Sequence, residues 1–251
     1  MPQVTVVHTD EVTPRRNPAT GLIVVPLFGD RTGFGERLEQ AVLELGPGER
    51  SETIAVDGAD EVLFVISGEG SIQIGAAAHP IEPETGIVLP RATRFALQCA
   101  GPAPLRLVAV RVAVRADDPE PAPDSGPAVS RLSDQDMEPA TGAREFRILA
   151  DPAAGLRTAT HFVGYIPVGR APDHFHYYDE VIHVLDGEGV MHAGALERPL
   201  SAGSSIQLPA QVVHCLENTG DAPMRVVAVF RPAGSPAAAF YPDGTPAFQG
   251  T

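Results

Sequence analysis

Few cysteines, no long apolar run and no excess of positive charge: each lack closes off a class of protein. Cys99 and Cys215 are the two cysteines in 251 residues. Two thiols this far apart do not make a disulfide framework for a chain of this size, and a reducing compartment is the simpler expectation. No uninterrupted apolar run approaches transmembrane length. Polar sequence follows Met1, with Asp10 and Glu11 arriving early, where a secretory leader would be basic and then apolar. The expectation is a soluble, cytoplasmic protein with no membrane partner. A formal net charge of -14 argues against nucleic acid or an anionic surface as partner through bulk electrostatics. It leaves an anionic small molecule open, because a metal and a few arginines reverse the potential inside a pocket. Phosphate-cradling loops, a nicotinamide fingerprint and a hydrolase nucleophile elbow are also missing.

What the chain does have is apolar sequence in short pieces. Apolar residues make up 43% of it. They fall in strand-length runs such as GLIVVPLF, EVLFVISG, LRLVAVRVAV, EVIHVLDG and MRVVAVF, punctuated by Gly and Pro. Helical periodicity is weak. Short strands separated by tight turns predict an all-β, antiparallel barrel or sandwich.

An internal repeat divides the chain. DEVLFVISGEGSIQIG from Asp60 to Gly75 returns as DEVIHVLDGEGVMHAG from Asp179 to Gly194. Gly68 and Gly187 stand where the turns need permissive torsions. Later, GIVLPRATRF parallels GSSIQLPAQVVH, so Pro90 aligns with Pro209 and Phe95 with His214. The Pro-rich ADDPEPAPDSGPA reads as an exposed linker. The expected domains are residues 1–118, a linker and crossover segment over 119–140, and residues 141–251.

The chemistry concentrates in HFHYYDE. His174, His176 and Glu180 share one parity, so on a strand all three would leave the same face. His214 can join them from a separate strand. Three imidazoles and one carboxylate suit a divalent metal, with iron, manganese, nickel, zinc and copper as candidates. In the first half, Glu61 matches Glu180 but no histidine accompanies it, and a scaffold role is expected there. Around the second-half set, His192 is a candidate proton donor, Tyr178 a candidate substrate contact and Gln207 a candidate for orienting a metal-bound ligand. Cys215 should face away from His214, and His183 should pack outside or between the halves.

These residues resemble the cupin superfamily, specifically a bicupin whose first domain is degenerate. Gly169, His174, His176, Glu180 and Gly187 are similar to its first motif; Gly203, Pro209, His214 and Asn218 are similar to its second. Gln211 stands where that second motif usually has glycine. The resemblance implies two tandem double-stranded β-helix, or jelly-roll, barrels. It implies one metal, in the second barrel, held by His174, His176, Glu180 and His214. It also suggests a homodimer. The function expected is a metal-dependent enzyme, with iron first in preference, acting with dioxygen on a small oxygenated organic molecule. The alternatives are a redox-neutral isomerase, lyase or decarboxylase, and a non-catalytic small-molecule binder.

Overall fold

The computed structural model describes residues 3–29, 37–119 and 126–248. The β-branched and apolar runs are strands, and no α-helix occurs among the described residues, which carry three single 3₁₀ turns. The strands build four antiparallel sheets in two matching sets. In one set a seven-stranded sheet runs in the order Ala128–Arg131, Thr85–Leu89, Ala59–Ser67, Leu105–Ala113, Leu38–Leu45, Ile23–Phe28 and Arg15–Arg16. In the other the order is Thr5–His8, Ser204–Leu208, Asp179–Asp186, Met224–Arg231, Thr160–Ile166, Glu145–Ala150 and Glu138–Pro139. Each large sheet faces a four-stranded one. Ile54–Ala55, Arg94–Cys99, Gly70–Ile74 and Ala77–Ile81 form the first of these, and Gly169–Arg170, Cys215–Asn218, Glu188–Ala193 and Leu196–Ser201 the second.

Two expectations change. First, no sheet closes on itself into a barrel; each half is a two-sheet sandwich with jelly-roll strand order. The large sheets end in two-residue strands, Arg15–Arg16 and Glu138–Pro139, and such short edges give little template for closure. Second, strand pairing crosses the expected segments. Thr5–His8 pairs with Ser204–Leu208 in the second half, and Ala128–Arg131 pairs with Thr85–Leu89 in the first. Thr5–His8, from residues 1–118, is thus an edge of the second-half sheet, and Ala128–Arg131, from the expected linker and crossover segment 119–140, is an edge of the first-half sheet. Part of the Pro-rich linker, residues 120–125, lies outside the described residues.

Three apolar cores result. One lies inside each sandwich, and a third joins the two large sheets through Val62, Phe64 and Val110 on one side and Val181, Val227 and Val229 on the other. A large sheet is thus covered on both faces. That is why Leu105–Ala113 and Met224–Arg231 read as continuous apolar runs without clean alternation. The Gly-Glu-Gly turns follow expectation. Gly68 and Gly187 have φ of +81° and +89°, and a Cβ on them would lie 2.3 Å from the Pro104 oxygen and 2.9 Å from the Met224 Cα.

The first half is filled. Phe95 is buried where its repeat partner is His214, and Leu63, Ile72 and Leu97 complete the plug. Glu61 is left inside this core, opposite Leu89 just as Glu180 lies opposite Leu208. Burial pushes its carboxyl up from 4.5 to about 7, against the pull of Arg111 and with a further push from Glu39. Between those values the folded protein holds a proton that the unfolded chain has released, so stability falls as pH rises through that window. Glu61→Gln removes the exchange. Relative to the unsubstituted protein, E61Q should gain about 3 kcal/mol of stability between pH 4.5 and pH 8 in urea unfolding. A stability difference that does not change with pH would contradict this assignment.

Candidate metal centre and its cavity

HFHYYDE is not a continuous strand. Regular pairing begins at Asp179, and His174 and Phe175 make only isolated bridges. The shared facing expected from parity is achieved differently. The His174 amide donates to the His214 carbonyl at 3.0 Å, and the His214 amide returns the bond at 2.9 Å. This two-way bond puts the two rings side by side, with centroids 4.5 Å apart. Two residues on, His176 lies 5.0 Å from His214 ring to ring. Glu180 enters from the first turn of the pairing at the start of Asp179–Asp186. All four side chains are buried and line one cavity of about 80 Å³. Its remaining walls include Phe162, Ile182, Leu216 and Val226, with Pro236 and Ala239 from the C-terminal segment.

The ring nitrogens show what the imidazoles are set to do. The Nδ1 atoms of His174, His176 and His214 each lie 2.9 Å from a backbone carbonyl, of Pro172, Tyr178 and Val212 respectively. A carbonyl only accepts, so each Nδ1 carries the proton. Burial holds His174 down to about 4 and His214 well below its ordinary value, so both are neutral near pH 7. Their Nε2 atoms are then lone pairs. Outer carbonyls that fix the tautomer and orient the ring are what metal-binding histidines require. His176 Nε2 is buried without a hydrogen bond, 3.2 Å from Glu180 Oε2. With the proton on Nδ1, these are two acceptors face to face, a contact that calls for a cation between them.

The donor set fits a divalent metal, but the side chains as they stand are not closed around one. Among the described residues no group of three or more His, Cys, Asp or Glu side chains is arranged to hold an ion. One contact accounts for much of this. The Arg144 guanidinium enters the cavity and its Nη1 lies 3.3 Å from His174 Nε2. The guanidinium is donating to the lone pair that a metal would take.

Of the other residues singled out from the sequence, Tyr178 lines the cavity. Its ring is stacked between His176 and Phe230, with both centroid distances 3.9 Å. Burial raises its pKa well above the usual value and the nearby Glu180 adds to this, so the phenol keeps its proton. His192 and Gln207 are not brought to the cavity. His192 pairs with Cys215 across the small sheet, while the neighbouring Met191 and Leu216 point inward. Its Nε2 is 2.7 Å from Glu217. Gln207 lies opposite Val181 on the face directed at the other half, because the inward positions of that strand are Ile206 and Leu208. Cys215 faces away from the cavity, and Arg170 Nε donates to its sulfur at 3.3 Å. His183 is buried against Ser205 at 2.8 Å. Asn218 ties the strand end to the carbonyls of Ile166 and Ala222.

Arg144 was not legible in the sequence. It stands thirty positions before His174, ahead of an ordinary strand, with nothing in GAREFRIL to mark it.

With this geometry in view, the comparisons with known proteins are specific about fold. Residues 161–230 match a family model described as a cupin domain. Among solved structures, a protein described as glyoxylate-induced from Pseudomonas aeruginosa superposes with a TM-score of 0.77 at 19% identity, over 90% of this chain and 88% of that one. Protein Ylba of E. coli gives 0.77 at 11% identity, over 92% and 91%. A mutant oxalate decarboxylase OxdC of Bacillus subtilis gives 0.74 at 15%, over 95% and 79%. The fold is that of the cupin superfamily, in a bicupin-like arrangement. No curated protein matches the chain by sequence. In this bicupin-like chain both halves keep the scaffold, and only the second carries the histidines.

Gln211 shows what the missing motif glycine does. It adopts φ of +63°, the left-handed region, and Ala92 does the same at φ +67° in the first half. Its amide meanwhile donates to the His176 carbonyl at 2.7 Å, tying this turn to the cavity. A side chain in that conformation is strained, so Gln211→Gly should stabilise the protein by about 0.5–1 kcal/mol, net of the extra freedom of glycine in the unfolded chain. Q211A serves as control and should show no such gain in denaturant unfolding.

Proposed function

We propose that this chain is a metal-dependent enzyme that transforms a small oxygenated organic molecule in the second-half cavity. His174, His176, Glu180 and His214 would hold one divalent transition metal, iron in first preference. The observation that supports this most is that three histidines lining one cavity with Glu180 each have Nδ1 tied to a carbonyl, with His176 Nε2 3.2 Å from the Glu180 carboxylate. When bound, the metal supplies Lewis acidity and, if it is iron, redox chemistry with dioxygen.

The chain's own residues do the rest. The carbonyls of Pro172, Tyr178 and Val212 keep the three rings in the ligating tautomer. The apolar wall of Phe162, Ile182, Leu216 and Val226 shapes a site for a small molecule. The C-terminal segment helps close the mouth: Phe240 bridges Phe175 through backbone bonds of 2.8 Å in both directions and stacks on its ring. Tyr178, kept protonated, offers a proton or hydrogen bond to a substrate oxygen at the metal side of the cavity.

Oxidation with dioxygen is the first reading. Redox-neutral chemistry is the second. It is favoured by the protonated Tyr178 hydroxyl, which suits proton delivery to a carbanion or enolate. The similar structures include an oxalate decarboxylase.

Protein purified without an affinity-tag metal should contain close to one transition metal per chain. His176→Ala combined with His214→Ala should abolish it and leave the fold intact by circular dichroism. Full metal retention in the double variant would reject the site. Turnover of a metabolite library under anaerobic and aerobic conditions, with labelled oxygen and mass detection, separates the two reactions. Label in the product supports the first reading, and product without oxygen supports the second.

A further inference from the structure

The cavity holds one cationic side chain that the four-residue set does not explain. Arg144 stands just before the strand Glu145–Ala150, and a tight turn fixes its backbone, with the Ala140 amide donating to the Arg144 carbonyl at 2.7 Å. Its Nε donates to the Thr141 carbonyl at 2.8 Å. Its Nη1 meets His174 Nε2 at 3.3 Å. These contacts use two of the five N–H groups of a guanidinium, and they leave the Nη2 edge for something else. Among the described residues no carboxylate lies within 4.0 Å of it in an ion pair, although Glu180 and Glu145 line the same cavity. By contrast, Arg225 is paired with Asp186, Arg231 with Asp118 and Arg91 with Asp60. A partly buried guanidinium with no carboxylate in ion-pair contact is costly, and a ligand that brings one lowers that cost.

We infer that Arg144 binds the carboxylate of the substrate, so that this enzyme acts on small carboxylic acids. The inference rests on the reading of the same cavity as the active site, and it narrows the substrate class. A planar guanidinium matches a carboxylate through two parallel hydrogen bonds. Its position beside His174 Nε2 puts a bound acid next to the metal ligands, so an oxygen on the acid's second carbon falls on the metal side. The cavity of about 80 Å³ limits the rest of the molecule.

The test compares acids with their uncharged counterparts. Acetate, lactate and pyruvate are titrated by calorimetry against acetamide, lactamide and pyruvamide at pH 7.5, on metal-free and on metal-loaded protein. The metal-free arm decides, because a metal would itself attract a carboxylate. Wild-type protein should bind the acids at least tenfold more tightly than the amides. Arg144→Met, which keeps much of the side-chain volume, should erase that preference, and Arg144→Lys should restore part of it. Thermal unfolding confirms that both variants are folded. Equal binding of acids and amides by the wild type, or an acid preference that survives in R144M, would overturn the inference. Metal content is measured on the same samples. If no metal binds while the Arg144-dependent preference stands, the metal assignment fails and this one holds. If metal binds but the preference is absent, the reverse is true.

Discussion

Both large sheets are covered on both faces, and that constraint decides where polarity is allowed. A strand such as Asp179–Asp186 has no solvent side along most of its length. Every polar group on it must find a partner inside the protein or leave a cost of several kcal/mol for a charge. Most do find one. Asp179 accepts the Ala210 amide at 2.9 Å and pairs with Arg37 of the other half. Asp60, its repeat partner, accepts the Arg91 amide at 3.0 Å and the Thr158 hydroxyl of the other half at 2.8 Å. His183 is matched with Ser205. Against this background the buried atoms without a hydrogen bond stand out, and among the described residues they include Gln40 and His161 between the halves and His176 in the cavity.

The two halves diverge within that common frame. Each keeps the aspartate that clamps the residue after the proline, the left-handed residue that follows, and the buried glutamate one position beyond the aspartate. What differs is the partner of the glutamate. In the first half it meets Phe95, Leu63 and Leu97, and the interior becomes solid. In the second, histidine replaces phenylalanine at the position of His214, and two more histidines arrive on the bridging loop. The site is thus a first-half interior in which aromatic and aliphatic bulk has been exchanged for imidazole, leaving the scaffold in place.

This explains what could be read from the chain and what could not. The repeat, the Gly-Glu-Gly turns and the apolar runs specify strands directly, because period and turn chemistry are local. The four cavity residues were found by residue type and spacing, even though the loop carrying His174 and His176 is not the strand assumed. Parity survived because the bridge to His214 holds the loop extended. Sheet facing was read less well. Gln207 was assigned inward, but on a doubly covered sheet both faces are buried and burial no longer distinguishes the cavity side from the side packed on the other half. The edge strands Thr5–His8 and Ala128–Arg131 were missed for a related reason: an edge strand's partner is set by tertiary pairing, and nothing in TVVH or AVSR names it. Arg144 was invisible because its role depends on a turn thirty residues from the motif.

The cavity itself is electrostatically incomplete in a way that links its parts. Two neutral imidazoles turn lone pairs inward, and a third faces a carboxylate oxygen acceptor to acceptor. Every one of these contacts is improved by positive charge, and among the described residues lining the cavity the one Lys or Arg is Arg144, whose guanidinium lies against His174. That guanidinium is in turn without an anion in ion-pair contact. A metal between the imidazoles and Glu180 would satisfy the first deficit and release Arg144 from His174. An acid bound to the freed guanidinium would satisfy the second. Metal and carboxylate would therefore complement each other: with the metal held by His174, His176, Glu180 and His214, Arg144 would be free of His174 and available to an acid.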